Sequence, residues 1–139
     1  MDRIKMRAWH KEQKKMYEVE SICPYEDDST KGGEVFLKGI EKKSFYFPEE
    51  VEVMFSTGKR DVNKDLIFEG DIVDKLCELD ETGIIRWDNE EAKYVIDDEI
   101  NRYQSSFENY YGEDLEILGN IYENPELHEV KRWVNVMEY

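Results

Sequence analysis

Apolar and polar residues alternate in this chain over short runs, and turn-forming residues close each run. Ile4-Lys-Met-Arg-Ala-Trp9 sets the pattern. Successive side chains on a strand point to opposite faces, so a two-residue period describes a strand with one buried face. Polar residues 10–15 follow, and Met16-Tyr-Glu-Val-Glu-Ser-Ile22 resumes the alternation. The pair predicts a hairpin whose loop holds His10, Lys11, Glu12, Gln13 and Lys14. Residues 24–33 read as loop. Glu34–Ile40, Ser44–Phe47 and Val51–Phe55 read as strands, with Pro48 interrupting the last two.

The second half repeats the scheme. Ser56–Asp65 is polar, contains Gly58 and is predicted to be a connecting turn. Leu66–Val73 reads as one strand bent at Gly70-Asp71, where a larger residue would cost packing. Asp71 is expected to bond backbone amides beside that bend. Gly83–Asp88 and Ala92–Ile96 flank Asn89-Glu-Glu and predict a second hairpin. Residues 97–114 stay open between helix and loop. Tyr103, Phe107, Tyr110 and Tyr111 fall at helical spacing, while helix breakers crowd the stretch. Leu115–Tyr122 predicts a last strand, and a helix start follows. Asn124 suits the N-cap, Pro125 the first helical position, and Glu126 complements the helix dipole. Leu127, Val130, Val134 and Met137 then form one apolar stripe. That stripe either packs on its own domain or pairs with a second copy, which would make the protein a homo-oligomer.

Length and charge bound the function. The chain has 139 residues and a net charge of −15. That suffices for one domain, or for a division into an N-terminal β region, residues 1–56, and a second part, residues 57–139. Residues 1–20 carry a net +2 and residues 21–139 a net −17. Such a surface repels phosphate backbones, so a nucleic-acid partner is not expected and a basic protein partner is. The N-terminal Arg3, Lys5, Arg7, Lys11, Lys14 and Lys15 read as the solvated face of the first hairpin. Cys23 and Cys77 are the only cysteines, and His10 and His128 are distant from them in sequence. The spacing fits free thiols in a reducing cytoplasm and no zinc site. No apolar run approaches the roughly 20 residues that span a bilayer, and the N-terminus lacks the apolar core of a signal peptide. The expected location is the cytoplasm.

Catalytic motifs are weak. Asp61-x-Asn63-x-Asp65 imitates the start of a calcium loop, but Leu66 stands at its sixth position and Ile72 at its twelfth. The loop needs Gly and a bidentate Glu there. Acid pairs such as Asp80/Glu81 and Glu113/Asp114 arise by chance in a chain with 34 acids. Cys77 sits among carboxylates that disfavour a thiolate. No catalytic residue, metal ligand or cofactor is assigned. Trp87 and Tyr94 could belong to a base-stacking platform, but residues 76–129 carry a net −13, so an interface for protein is favoured.

Several phrases in order resemble one family. Ile4-Lys-Met-Arg-Ala-Trp9 with Lys15-Met-Tyr17 is similar to its opening. Ser56-Thr-Gly58, Asp61 and Ile67-Phe-Glu-Gly-Asp-Ile-Val73 are similar to its centre, and Gly119-Asn-Ile-Tyr-Glu-Asn-Pro-Glu-Leu127 to its ending. This is the YopX family of phages and prophages. Gly70, Asp71, Gly119, Asn120, Asn124 and Pro125 are its structural markers here. The chain departs in having His10 where an acid is usual after the opening Trp, and in lacking Gly within Arg60-Asp-Val-Asn-Lys-Asp65. Residues 128–139 extend past the recognisable pattern. The resemblance implies a mainly β (α+β) fold: an SH3-like barrel with an N-terminal β-hairpin region and a short C-terminal helix. It also implies phage or prophage origin in the cytoplasm of the bacterial host and no established activity. The expected function is a non-enzymatic acidic interaction module. Its expected surface is Trp87, Tyr94, Leu127, Val130, Val134 and Met137. A nucleic-acid-binding SH3-like module and a carboxylate- or metal-dependent enzyme are the alternatives.

Overall fold

Eleven antiparallel strands account for most of the described chain. A computed structural model describes residues 4–26, 32–78, 81–98 and 102–127. They fall into two compact units, Ile4–Phe55 and the residues from Ser56 onward.

In the first unit, β1 (Met6–His10) and β2 (Lys15–Pro24) form the expected hairpin, with Ala8 opposite Tyr17 and His10 opposite Lys15. β3 (Gly33–Leu37) and β4 (Ser44–Phe47) extend the sheet beyond β2, and β5 (Val51–Arg60) adds its first half on the other side of β1. The order is therefore β4-β3-β2-β1-β5. The alternation decides which faces are buried: Ala8, Val35, Leu37, Phe45 and Val51 form the core, and the charged residues between them stay in water. The Phe47–Pro48 peptide bond is cis.

In the second unit, β6 (Leu66–Phe68) pairs with the second half of β5. A five-stranded sheet follows in the order β10-β9-β8-β7-β11. Its members are β7 (Asp71–Lys75), β8 (Thr82–Asp88), β9 (Lys93–Asp98), β10 (Tyr103–Ser106) and β11 (Leu115–Asn120). Ile67 of β6 joins Val73, Ile85, Ile96, Phe107, Tyr110 and Leu115 in the core. The strands form open sheets, with no closed barrel among the described residues.

Three sequence expectations change. Ser56–Arg60 is strand and not connecting turn. Gly58 is accommodated by an irregularity in the β5–β6 pairing, where its φ is +86°, and the turn shrinks to residues 61–65. Leu66–Val73 is two strands and not one bent strand, because Gly70 takes φ +84° in a turn that carries the chain from β6, paired with β5, to β7 in the five-stranded sheet. Asp71 Oδ2 accepts from the Phe68 amide across that turn at 2.8 Å, the bond its place beside the glycine predicts. Residues 103–106 form β10, and Phe107–Asn109 and Gly112–Asp114 are single 3-10 turns. The aromatic spacing that suggested a helix buries Phe107 and Tyr110 and leaves Tyr103 and Tyr111 outside.

The phrase Gly119–Asn124 makes a closed turn. Asn120 Oδ1 accepts from the amides of Tyr122 (3.0 Å) and Glu123 (2.8 Å). Asn124 Oδ1 accepts from the Asn120 amide at 3.2 Å, a partner other than the helix amides expected of an N-cap. Pro125–Leu127 is helical, as predicted; Val130, Val134 and Met137 lie outside the described residues.

Candidate functional site

Two arrangements in the second unit bear on function. The first is a cross-strand aromatic pair. β8 and β9 place Trp87 directly opposite Tyr94. Their rings meet edge to face at 5.0 Å, and Tyr94 meets Phe107 the same way at 6.2 Å. The three rings form a ladder from surface to core. The outer rung is open, since Trp87 is 45% exposed. The inner rungs are fixed: Tyr94 Oη donates to the Ser56 carbonyl at 3.3 Å, and burial, with the charge of Glu69, pushes its phenol up to about 12.

The hairpin end next to the indole in sequence is rich in carboxylates. The loop beyond it holds the exposed Glu90 and Glu91. Asp88 Oδ1 accepts from both their amides, at 3.0 and 3.4 Å, which fixes the hairpin end. Lys93 pairs with Glu91 at 2.9 Å, and that hydrogen bond raises its ammonium above the ordinary lysine value. Exposed apolar area beside surplus negative charge is a surface for a basic, partly apolar group. An indole face attracts ammonium and guanidinium groups by about 0.5–2 kcal/mol.

The second arrangement was not foreseen. Lys75, on β7, is fully buried. Its ammonium lies 3.3 Å from Tyr103 Oη and 3.4 Å from Ser105 Oγ, over the Tyr103 ring at 4.7 Å. Glu81 and Glu78 approach it at 3.5 and 3.8 Å. Tyr110 Oη donates to Glu78 at 3.1 Å. Burial acts to lower the lysine's pKa, but the Tyr103 hydrogen bond and the facing tyrosine and glutamate charges outweigh it and raise the group. Lys75 is therefore a cation at neutral pH and a poor nucleophile. The hydrogen bond between the two carboxyl groups holds Glu78 below the usual range and pushes Glu81 above it. One sequence signal could have found the cluster: alternation puts Lys75 on the same face of β7 as the core residue Val73.

The remaining candidates resolve as structure. Asp61 Oδ1 accepts from the amides of Asn63 and Asp65 and Oδ2 from that of Ile117, each at 2.9 Å. The calcium-like phrase is a polar turn. Cys23 and Cys77 are free and exposed. No group of three potential metal ligands occurs among the described residues. No described helix is long and apolar enough to cross a membrane. Leu127 is 38% exposed.

The geometry defines a class: a mainly antiparallel β protein of two open-sheet units with an acidic, aromatic-bearing face. More specifically, the chain belongs to the YopX family, whose model, described as YopX protein, matches residues 5–129. Among solved structures it is similar to protein EF1440 from Enterococcus faecalis, at 24% identity and TM-score 0.55, covering 89% of this chain and 96% of that one. It is also similar to protein yopX from Bacillus subtilis, at 14% identity and TM-score 0.53, covering 90% and 98%. At these identities the likeness is one of fold. No curated protein matches the chain.

Proposed function

We propose that this is a non-enzymatic interaction module of phage or prophage origin, working in the cytoplasm of the bacterial host. Its β8–β9 face binds a basic segment of a protein partner. The observation that carries this reading is the half-exposed Trp87 indole, packed on Tyr94, on a hairpin whose end carries Asp88, Glu90 and Glu91. Charge complementarity names the occupant: a chain of net charge −15 favours an arginine- or lysine-rich segment and opposes a phosphate backbone. The family membership and the sheet of the second unit support an SH3-like description of that unit, with the β5–β6 ribbon against five strands. The buried, charged state of Lys75 supports a structural use of its cluster and not a catalytic one. A C-terminal contact through Leu127, Val130, Val134 and Met137 would make the module self-associate, and sedimentation equilibrium would then give a mass above 16.7 kDa.

A titration with an arginine-rich peptide, read on the Trp87 indole resonance, tests the face. Binding should weaken with salt, and Trp87→Ala should weaken it about tenfold, or 1.4 kcal/mol. An unchanged affinity in Trp87→Ala would move the site elsewhere. Duplex DNA in the same titration should give no shift; a saturating DNA shift would favour the nucleic-acid-binding alternative.

A further inference from the structure

The first unit contains a cleft of about 420 Å³ that the proposed interaction face does not use. His10, Lys11, Glu12, Gln13, Lys43, Phe45, Glu49 and Glu50 line it. Its volume lies within the range of about 300–1,000 Å³ usual for small-molecule sites.

Much of the lining is already committed. Lys11 pairs with Glu52 at 3.2 Å and donates to the Pro48 carbonyl, which ties the hairpin loop down. Gln13 accepts from the Tyr17 hydroxyl, and Glu50 from the Tyr46 amide at 2.8 Å. What remains free is informative. His10 is 6% exposed, with its ring edge-on to Phe45 at 4.9 Å. Its Nδ1 accepts from the Gln13 amide at 3.1 Å. A neutral imidazole whose Nδ1 accepts must carry its proton on Nε2. Nε2 has no hydrogen-bond partner among the described residues and is not a buried atom, so its N–H is open to a ligand at the cleft. Lys43 sits over the same Phe45 ring, 5.1 Å from its centroid, and has no ion pair among the described residues. Glu12 and Glu49 likewise have no partner there.

The free groups select a ligand by its charges. A divalent metal is disfavoured, because coordination at Nε2 would move the proton to Nδ1 and break the Gln13 bond, and Lys43 opposes a cation. A phosphate is disfavoured by the three glutamates. A simple amine makes no use of the His10 N–H or Lys43, and a simple carboxylate makes no use of the glutamates. A small zwitterion answers both sets. We propose that the cleft binds an α-amino acid: its carboxylate takes the His10 Nε2–H and the Lys43 ammonium, and its ammonium takes Glu12 and Glu49. This site is independent of the Trp87 face.

The test is a titration of the full chain followed by amide and imidazole NMR signals, with L-alanine, acetate and ethylamine as probes. L-alanine should give saturable shifts at His10 and Lys43, with a Kd of about millimolar order. Acetate and ethylamine should each bind at least about tenfold more weakly. Lys43→Gln, at an exposed position, should fold normally and weaken L-alanine about tenfold, while His10→Phe removes the N–H and keeps a ring. Equal binding of acetate and L-alanine would overturn the zwitterion. Absence of saturation with L-alanine, or an unchanged affinity in Lys43→Gln, would overturn the site.

Discussion

Three backbone amides converge on the Asp61 carboxylate, which is 3% exposed and joins the turn after β5 to Ile117 of β11. Each unanswered buried donor costs about 1–3 kcal/mol, so Asp61→Ala should lose at least about 3 kcal/mol in urea unfolding. Asp61→Asn retains one acceptor oxygen and should lose less. Lys75 gives a contrasting case. Lys75→Met removes the charge together with its desolvation cost, whereas Glu78→Gln with Glu81→Gln leaves a buried ammonium without its anions. The double variant should therefore unfold at lower urea concentration than Lys75→Met. The reverse order would mean that the carboxylates contribute little to holding the cation. At this scale the sequence was partly legible. Asp71 was readable because the preceding glycine announces a turn. Asp61 was not, because one of its three partners is 56 residues away.

Elements were legible where their pairing is local. The β1–β2 and β8–β9 hairpins follow from alternation closed by short polar loops. Residues 97–114 were not, because β10 is defined by its register on β9, with Tyr103 opposite Asp98 and Ser106 opposite Val95. Helical spacing and strand-plus-turn spacing bury the same two aromatics there, and only the neighbouring strand separates them. The β8–β9 loop carries a removable strain. Ala92 has φ +53°, a left-handed conformation that costs a non-glycine residue about 1 kcal/mol. Ala92→Gly should raise the melting temperature by about 2–4 °C. Gly112 has the opposite constraint: a Cβ there would meet the Arg60 carbonyl oxygen at 1.8 Å. Gly112→Ala should destabilise by at least about 1–3 kcal/mol, read in the same melts.

For the whole molecule, titration sets an alkaline limit. Lys75, Tyr94 and Tyr110 all have raised values in the folded state: Lys75 through its hydrogen bond and facing charges, which outweigh burial, and the tyrosines mainly through burial. A raised folded value means that the protonated group stabilises the fold. That stability is fully present below the unfolded values of about 10 and is lost as pH rises through the folded ones. Unfolding followed by circular dichroism should therefore show little loss from these groups up to about pH 10, then a steep loss toward pH 12, the value reached by Tyr94. Glu78 and Glu81 shift in opposite directions, so their contributions in acid oppose each other.

By itself the sequence determined the strand pattern, the local turns, the charge and the family, because each depends on residues near one another in the chain or on a simple sum. Tertiary structure decided the open sheets in place of the expected barrel, the burial of Lys75 among Tyr103, Glu78 and Glu81, and the cleft around His10. Those features depend on strand order and on side chains that meet only once distant segments pair. A two-residue period says which face of a strand is buried; it does not say what that face will touch.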